Sequence, residues 1–206
     1  MLNNVIILGY SGHSFVCIEC AILNRISVLG YCDSNIKDFN PFKLEYLGHE
    51  NDYIQDSHNI FIALGNNTLR ENIFKKFRPN NYINLIHPTA IVSKISIIKP
   101  NSNILILAGV IVNPLAEIEE GVILNTNSTI EHECMISAFA HIAPGATLAG
   151  NVFVGERTFI GANSTVKQGV KIGSDVIIGA GSVIINDVPN GVVVVGNPGK
   201  IIKQNI

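Results

Sequence analysis

The sequence predicts a small parallel α/β unit over residues 1–86, followed by a left-handed parallel β-helix with a C-terminal tail over residues 87–206. Two observations predict this division. Short apolar strands alternate with helical stretches in the first part, and aliphatic residues recur at every sixth position in the second. A chain of 206 residues has room for both units.

The first part contains four short apolar stretches, with helical patterns after the first and the third. The stretches that we expect to form strands are Val5–Leu8, Val28–Tyr31, Ile60–Leu64 and Tyr82–Ile86. The helical patterns run from Phe15 to Ile22 and from Leu69 to Phe77, with Thr68 as a candidate cap of the second. This alternation of strand and helix indicates a parallel sheet.

Ligands of parallel α/β sheets bind beyond the carboxyl ends of the strands. Those ends are here the Gly9–His13 loop, Asp33 and the Gly65–Asn67 turn. The Gly9–His13 loop lacks the full Gly-x-Gly-x-x-Gly spacing, which disfavours a nicotinamide cofactor.

Aliphatic residues occupy every sixth position of the second part without a slip. The series is Ile106, Val112, Ile118, Leu124, Ile130, Ile136, Ile142, Leu148, Val154, Ile160, Val166, Ile172, Ile178 and Ile184. Small or β-branched residues follow four positions after each of these, as Val110, Ala116, Val122, Ser128, Cys134, Ala140, Ala146, Val152, Thr158, Ser164, Val170, Val176, Ser182 and Val188. A period of six predicts a three-sided prism with the large residue in the interior and the small one near the corner.

Three hexapeptides complete one coil of this prism, so residues eighteen positions apart stack at the strand spacing of about 4.8 Å. The upstream residues Ile91, Ile95, Ile97 and Ile104 predict a less regular first coil, as expected for a terminal repeat. Stacked interior residues explain the hydrophobic content of 47% without a membrane segment. Apolar runs such as Leu105–Val112 are far shorter than the roughly 20 residues that span a bilayer.

Charge and cysteine content disfavour several other classes of protein. A net charge of -2 with 15% charged residues gives no basic face for nucleic acid. Cys17 and Cys20 form a Cys-x-x-Cys, but nothing completes a zinc site, so we expect packing cysteines in a reducing compartment. The first residues lack the charged region and cleavage site of a secretory signal, so we expect a cytoplasmic protein with no membrane partner.

The stacking rule turns sequence separation into proximity for two histidines. His132 occupies the third position of its hexapeptide, so it should point outward with Gly150 directly above it. The same rule places Asn125 under Ala143, whereas His141 belongs to a neighbouring side of the prism. His132 and His141 of one subunit are therefore expected to lie apart, and two prisms side by side could bring them together. A triangular prism favours a cyclic trimer with three equivalent clefts.

Carboxylates flank the outward imidazole in the stretch Glu131–Glu133. A carboxylate bonded to one ring nitrogen fixes the tautomer and raises the basicity of the other. Gly150 offers a backbone N–H with no side chain in the way, suited to a thioester carbonyl that becomes an oxyanion. A base next to such a donor forms an acyl-transfer site in outline.

Two other interpretations of the same residues stay open. His132 could be a solvated surface histidine, with Gly150 a corner glycine. A zinc site is the other, since γ-class carbonic anhydrases bind zinc through three histidines on this prism. Only His132 and His141 lie inside the regular repeats, so a metal is disfavoured.

Several segments resemble one bacterial family. The stretch Leu124–Cys134 is similar to the nucleotide-amino-sugar acetyltransferases of the PglD type, of which the sialic acid O-acetyltransferases are close relatives. The resemblance extends to Gly9–His13, to Ala63–Asn67 with Arg70, and to Val195–Lys200, and so covers nearly the whole chain.

The resemblance implies a Rossmann-like nucleotide-sugar-binding domain over residues 1–86 and an acetyl-CoA-binding β-helix over residues 87–206. Acetyl-CoA is then a co-substrate, with no permanently bound cofactor or metal. His132 is implied as the general base and Glu133 as the group that orients or polarises it, while Asn125, His141 and the Gly150 N–H position the reacting groups. On the nucleotide-sugar side the implied residues are Gly9, Ser11, Gly12, His13, Asp33, Gly65 and Asn66. On the acetyl-CoA side they are His141, Gly150, Gly161, Ala162, Ala180 and Lys200.

Small residues of the late coils, such as Gly161, Ala162 and Ala180, would let a pantetheine arm lie against the prism, although corner geometry also explains them. Lys200, like Lys167 and Lys171, could meet the phosphates of CoA or could be an ordinary surface lysine.

The implied reaction is acetyl transfer from acetyl-CoA to the amine of a nucleotide-linked amino-deoxy sugar, in surface glycan or glycoprotein biosynthesis. The expected acceptor is a UDP- or dTDP-linked 4-amino-4,6-dideoxy sugar. Family members with a UDP-sugar often show two acidic residues where this chain has Asp33 and Ser34, so the nucleotide stays open. The alternatives are O-acetylation of a sialic acid or a related sugar, and a β-helix that has lost its chemistry. A homotrimer with active sites between subunits is expected.

Overall fold

The computed structural model describes residues 4–49, 58–77 and 81–205. Its N-terminal unit is a four-stranded parallel sheet of order β3-β2-β1-β4 with two helices. The elements are β1 (Asn4–Leu8), α1 (Gly12–Leu23), β2 (Ser27–Cys32), β3 (Glu45–Tyr46), β4 (Asn59–Ile62) and α2 (Asn67–Phe77). The first three predicted strands are confirmed, and β3 is an edge strand that the sequence pattern did not show.

The sheet of this unit buries both faces because a helix covers each of them. Val5 and Ile7 of β1 cluster with Cys17 of α1, whereas Ile6 points to the other face and clusters with Ile73 of α2. Burial on both faces is typical of parallel sheets, and it explains why the strands read as continuous apolar runs.

The two helices begin where polar side chains satisfy free backbone groups. The Ser11 N–H donates to the Ser14 hydroxyl at 2.8 Å ahead of α1. The Leu69 N–H donates to Oδ1 of Asn66 at 2.9 Å, so Asn66 caps α2, and the prediction of Thr68 as the cap is wrong. α2 begins two residues before its apolar pattern, because the cap needs only a side-chain acceptor.

Cys17 and Cys20 are free thiols buried on the inner face of α1. Burial raises the pKa of the Cys20 thiol to about 12, so the thiol stays protonated at neutral pH. The prediction that these are packing cysteines is confirmed.

The rest of the chain forms the predicted β-helix, whose short strands each supply one side of a coil. These strands are β5 (Leu85–Ile86), β6 (Ile91–Val92), β7 (Ile97–Ile98), β8 (Leu105–Ile106), β9 (Ile111–Val112), β10 (Glu117–Ile118), β11 (Ile123–Leu124), β12 (Thr129–Ile130), β13 (Met135–Ile136), β14 (His141–Ile142), β15 (Thr147–Leu148), β16 (Phe153–Val154), β17 (Phe159–Ile160), β18 (Thr165–Val166), β19 (Lys171–Ile172), β20 (Ile177–Ile178) and β21 (Val183–Ile184). Two longer strands, β22 (Val192–Val195) and β23 (Lys200–Gln204), close the top as an antiparallel pair.

Stacking of the coils gives three sheets. Their orders are β23-β22-β20-β17-β14-β11-β8-β5, β21-β18-β15-β12-β9-β6 and β19-β16-β13-β10-β7. In the regular coils partners lie eighteen residues apart, as Ile123 and His141 do. Every member of both predicted hexapeptide series is buried, which confirms the interior. No helix in the described ranges is long and apolar enough to cross a membrane.

The first coil is longer than the regular ones. Leu85 pairs with Leu105, and Ile97 with Glu117, which is two residues beyond the regular period. Ile91, Ile95 and Ile97 therefore do not form its interior series, and their exposures are 67%, 60% and 61%. The inward residues are Val92 and Ile98, while Ile104 is buried as predicted.

The predicted strand Tyr82–Ile86 is divided between the two units. Tyr82 makes an isolated bridge to Ile60 of the N-terminal sheet, whereas Leu85–Ile86 pair with β8 of the β-helix. The chain crosses from one unit to the other between these points. The domain boundary at residue 86 stays a prediction.

The N-terminal unit packs on the outer face of the eight-stranded sheet. Leu105 and Ile123 share a core cluster with Ile7 of β1. Asn103, 1% exposed, accepts a hydrogen bond from the Ile62 N–H at 2.6 Å and donates to the Ile62 carbonyl at 3.2 Å. These two hydrogen bonds join β4 to the β-helix, while pairing with β1 holds β4 within its own sheet.

Candidate active site

His132 lies in the turn between β12 and β13, directly beneath Gly150 of the next coil. A Cβ atom placed on Gly150 would lie 2.4 Å from Cε1 and 2.5 Å from Nε2 of His132. The backbone holds this stacking, because the Asn151 N–H donates to the His132 carbonyl at 2.8 Å. The arrangement predicted from the eighteen-residue rule is confirmed, and Gly150 is a position where a side chain would displace the imidazole.

Glu133 holds the outer side of the same imidazole. Its Oε2 lies 2.9 Å from Nδ1 of His132, and its backbone has a φ of 60°, a turn conformation that turns the side chain back toward the ring. A carboxylate only accepts hydrogen bonds, so Nδ1 carries the proton and Nε2 keeps its lone pair. The His132 side chain is 49% exposed, which leaves it accessible as a base.

His141 begins β14 on a different side of the prism and is buried, with 7% exposed. Nδ2 of Asn125 lies 3.1 Å from Nε2 of His141, and Oδ1 of Asn125 accepts from the Thr126 N–H at 2.8 Å. The Asn125 amide therefore donates to Nε2. Burial, together with the nearby Arg70 and His13, lowers the pKa of His141 to about 3, so the ring is neutral at physiological pH.

His13, in the first turn of α1, lies across from His141. The two ring centroids are 6.2 Å apart, and a Cβ atom on Gly65 would lie 3.8 Å from Cγ of His13. Burial and the charge of Arg70 lower the pKa of His13 to about 4. Nε2 of His13 and Nδ1 of His141 are buried and make no hydrogen bond of ordinary geometry with the described residues. Two neutral imidazoles thus face the Gly65 turn.

The predicted catalytic residues fall into two groups. His132, Glu133 and Gly150 lie at the corner between the six- and five-stranded sheets. Asn125 and His141 lie on the eight-stranded sheet, next to the N-terminal unit. One chain therefore does not bring its own two groups together, as the spacing predicted.

The Gly9–Gly12 loop is ordered by Asp33. Oδ2 of Asp33 accepts from the Tyr10 N–H at 2.7 Å, while Oδ1 pairs with Lys37 at 2.7 Å and accepts from the Ser34 hydroxyl at 3.0 Å. Burial raises the pKa of Asp33, but these hydrogen bonds outweigh it, so the pKa lies below its ordinary value. Asp33 shapes the loop, and Lys37 is the charged group beside it.

Gly9 itself is required by packing. It has a φ of 91°, and a Cβ atom there would lie 2.5 Å from Cδ2 of Leu64. The end of β1 can therefore approach the turn that follows β4. Ser11 and Gly12 are exposed beside it, at the start of α1, where backbone N–H groups are available to an anion.

The residues expected to meet acetyl-CoA follow one another up the prism. Ala180 and Lys200 are exposed and Ala162 is partly exposed, whereas Gly161 is buried. A Cβ atom on Gly161 would lie 2.6 Å from the Ala180 nitrogen, so coil stacking alone already requires this glycine. The residues left to form this surface are the small side chains of Ala162 and Ala180 and the exposed Lys200.

A cleft of about 290 Å³ opens beside Gly65 and Asn66. Its floor includes Phe159, which stacks on the next coil above His141, and the C-terminal Asn205 forms part of its rim. The predicted substrate turn thus borders open space next to the buried histidines.

Comparisons with known proteins agree with this fold. A model described as the PglD N-terminal domain matches residues 4–77, and one described as bacterial transferase hexapeptide (six repeats) matches residues 151–186. The acetyltransferase domain of PglB from Neisseria gonorrhoeae FA1090, solved with acetyl coenzyme A, is 31% identical with a TM-score of 0.91, over 98% of this chain and 100% of that one. This chain belongs to the PglD-type acetyltransferase family.

Other solved structures are similar to this family member. PerB from Caulobacter crescentus, solved with CoA and GDP-perosamine, is 33% identical with a TM-score of 0.89, over 97% of each chain. WeeI from Acinetobacter baumannii AYE, 21% identical over 96% of this chain and 99% of that one, shares the fold with a TM-score of 0.83.

No role was predicted from the sequence for three residues that join the two units of this PglD-type protein. Arg70 is fully buried at the contact between the N-terminal unit and the β-helix, which we call the seam. There Nδ2 of Asn67 donates to the Arg157 carbonyl at 2.8 Å. Arg157 also pairs with Asp175 at 2.7 Å and with Glu71 of α2 at 3.2 Å. The eighteen-residue rule could have found the pair of Arg157 and Asp175. Nothing in the sequence pattern signals the contacts that cross the seam.

Proposed function

We propose that this chain transfers the acetyl group of acetyl-CoA to the amine of a nucleotide-linked amino-deoxy sugar. The observation that carries the proposal is the imidazole of His132, held by Glu133 directly beneath Gly150. The related complexes contain acetyl coenzyme A in PglB, and CoA with GDP-perosamine in PerB. Their ligands are a thioester donor and an amino-sugar acceptor, and the chemistry of His132 suits both.

In the proposed mechanism the amine nitrogen attacks the thioester carbonyl carbon. Nε2 of His132 removes the proton that the nitrogen loses, while Glu133 stabilises the imidazolium through Nδ1. The carbonyl oxygen becomes an oxyanion, to which the Gly150 N–H donates. Collapse of the intermediate breaks the carbon–sulfur bond, and the CoA thiolate takes the proton from His132. The products are the N-acetyl sugar and CoA.

The two substrates are assigned to the two parts of the chain, residues 1–86 and residues 87–206. The nucleotide-sugar lies along Gly9–His13, Asp33 and the Gly65–Asn66 turn, and its diphosphate meets the start of α1. Acetyl-CoA lies along the small residues of the late coils, where Ala162 and Ala180 leave room for pantetheine and Lys200 is placed for a phosphate.

We further propose a cytoplasmic homotrimer in which His132 of one subunit works with Asn125 and His141 of the next. The separation of these groups on different sheets of one chain supports this arrangement. Products of this class enter surface glycans or glycoproteins.

The test is an acceptor panel of UDP-, dTDP- and GDP-linked 4-amino sugars, with free sialic acid as the hydroxyl acceptor. CoA release is followed with a thiol reagent, and the product is identified by mass spectrometry and by stability to hydroxylamine, which cleaves esters but not amides. We expect a hydroxylamine-stable product from at least one amino sugar. His132→Ala should lower its turnover by about 10²–10⁴-fold.

Release of CoA with sialic acid alone, and a hydroxylamine-sensitive product, would establish O-acetylation instead. The absence of acetylation with every acceptor would overturn the proposed function. Near-normal turnover by His132→Ala would sink the assignment of the base.

A further inference from the structure

Arg70, in the first turns of α2, is a fully buried cation. Among the described residues, its hydrogen-bond partners include no carboxylate. Its acceptors within the described residues are four backbone carbonyls and the amide oxygen of Asn67. Burial lowers the pKa of Arg70 to about 9, so it still carries its charge at neutral pH. A buried charge is costly unless its donors are well matched, and replacing buried ionic groups with well-packed apolar side chains is often neutral or stabilising.

The acceptors of Arg70 lie on both sides of the seam. On the β-helix, Nε donates to the Gly121 carbonyl and Nη2 to the Phe139 carbonyl, each at 2.7 Å. On the N-terminal unit, Nη1 donates to the Leu64 carbonyl at 2.9 Å and approaches the Gly65 carbonyl at 3.4 Å. The planar guanidinium therefore fastens the turn after β4 to two turns of neighbouring coils.

This turn lies beside both His13 and His141. A Cβ atom on Gly65 would meet His13 at 3.8 Å, and the Gly65 backbone is also in contact with His141. The position of the turn thus sets how the nucleotide-sugar loop that carries His13 stands relative to the strand that carries His141.

We propose that Arg70 is a positioning residue for acetyl transfer, which holds the Leu64–Asn67 turn on the Gly121 and Phe139 turns and so fixes the nucleotide-sugar pocket against the β-helix. The inference rests on the proposed function but goes beyond it, since Arg70 itself touches neither substrate. The charge of Arg70 also helps to keep His13 and His141 neutral.

Arg70→Lys is the informative variant, because lysine keeps the charge but cannot reproduce the planar fork. The matched control is Asn103→Gly, which removes two buried hydrogen bonds across the same seam, at Ile62, and tolerates the φ of 57° at that position. Melting temperature, kcat and the KM of each substrate are measured for both variants and the wild type.

Arg70→Lys should raise the KM of the nucleotide-sugar by about 10- to 100-fold, since a displacement near 1 Å is sufficient for losses of that order. The KM of acetyl-CoA should change by less than about threefold, because the prism itself does not move. Asn103→Gly should lower the melting temperature and leave both KM values near those of the wild type.

An unchanged KM for the nucleotide-sugar in Arg70→Lys would overturn the inference. If Arg70→Lys changes both KM values equally and Asn103→Gly does the same, Arg70 contributes to stability alone and the inference is wrong. If Arg70→Lys does not fold, Asn67→Ala decides, because it removes the Nη2 acceptor and the link to Arg157 at a partly exposed site. A normal KM in that variant then contradicts the inference. Lack of acetylation by the wild type would count against the proposed function only.

Discussion

The imidazole of His132 occupies the space that a side chain on Gly150 would need. The two residues belong to neighbouring coils, and their contact follows from eighteen residues of regular backbone. Gly150→Ala should therefore displace the ring and lower kcat by about 10²–10⁴-fold, as loss of His132 would. Steady-state kinetics of the variant measures this.

The double variant of His132→Ala with Gly150→Ala shows whether the effect passes through the ring. If it does, the double variant should be within about twofold of His132→Ala, because the two changes remove the same interaction. Additive losses would show that Gly150 acts separately, for example through its N–H.

His141 gives a prediction about acid stability. Its pKa in the folded protein is about 3, below the ordinary value of 6.5, so only the unfolded state takes up a proton between these values. The neutral ring contributes fully to the free energy of unfolding above pH 6.5. This contribution falls as the pH drops toward 3, by up to about 1.4 kcal/mol per pH unit.

His141→Gln keeps a neutral polar group and should lack this contribution. Urea unfolding at pH 7 and pH 5 gives the free energy of unfolding of both proteins. Between these pH values the free energy of unfolding should decrease more for the wild type than for the variant. Parallel losses in the two proteins would refute a depressed pKa for His141.

At the scale of the element, each short strand of the regular coils points its second residue into the interior and its first toward the outer face of the prism. Ile172 of β19 is fully buried, whereas its neighbour Lys171 is exposed. Ile172→Ala should lower the free energy of unfolding by about 2–5 kcal/mol. Lys171→Ala should change it by no more than about 0.5 kcal/mol, measured by urea unfolding. Similar losses from both would contradict the register of β19.

That register could be predicted from sequence because every regular coil repeats one local rule. A residue at any position of a hexapeptide has the same orientation relative to the interior in each regular coil, so the interior series and the contact of His132 with Gly150 both follow from counting. The rule fails at Ile91 and Ile97, because two additional residues enter before β8 and shift the first coil. Insertions of this kind leave no periodic signal.

The seam could not be predicted in the same way. Arg70 reaches Gly121 and Phe139, and Asn67 reaches the Arg157 carbonyl, through the shapes of two units with unrelated periods. Partners at such separations depend on how one complete surface fits another. The position of the proposed base, His132, could therefore be predicted from the sequence more sharply than the setting of His13, which depends on the seam.

At the scale of the whole molecule, the residues predicted to act in catalysis lie in two separate groups on one chain, which we call half-sites. His132 lies at a corner of the six-stranded sheet, whereas His141 and Asn125 lie on the eight-stranded sheet beside the N-terminal unit. In the cyclic trimer that we propose, the corner of one subunit would face a side of the next, so each cleft would receive both half-sites from different chains. Each half-site can then be inactivated in a separate chain.

Mixed trimers of His132→Ala and His141→Ala subunits test this arrangement. Each variant alone should be strongly impaired, since every cleft lacks one histidine. After co-expression in equal amounts, about one cleft in four should receive an intact His132 from one chain and an intact His141 from its neighbour. CoA release by the mixture should thus recover to about a quarter of the wild-type rate, with a mixture of wild type and His132→Ala as the reference for assembly. If the mixture is no more active than the separate variants, the two histidines act within one chain or not together at all.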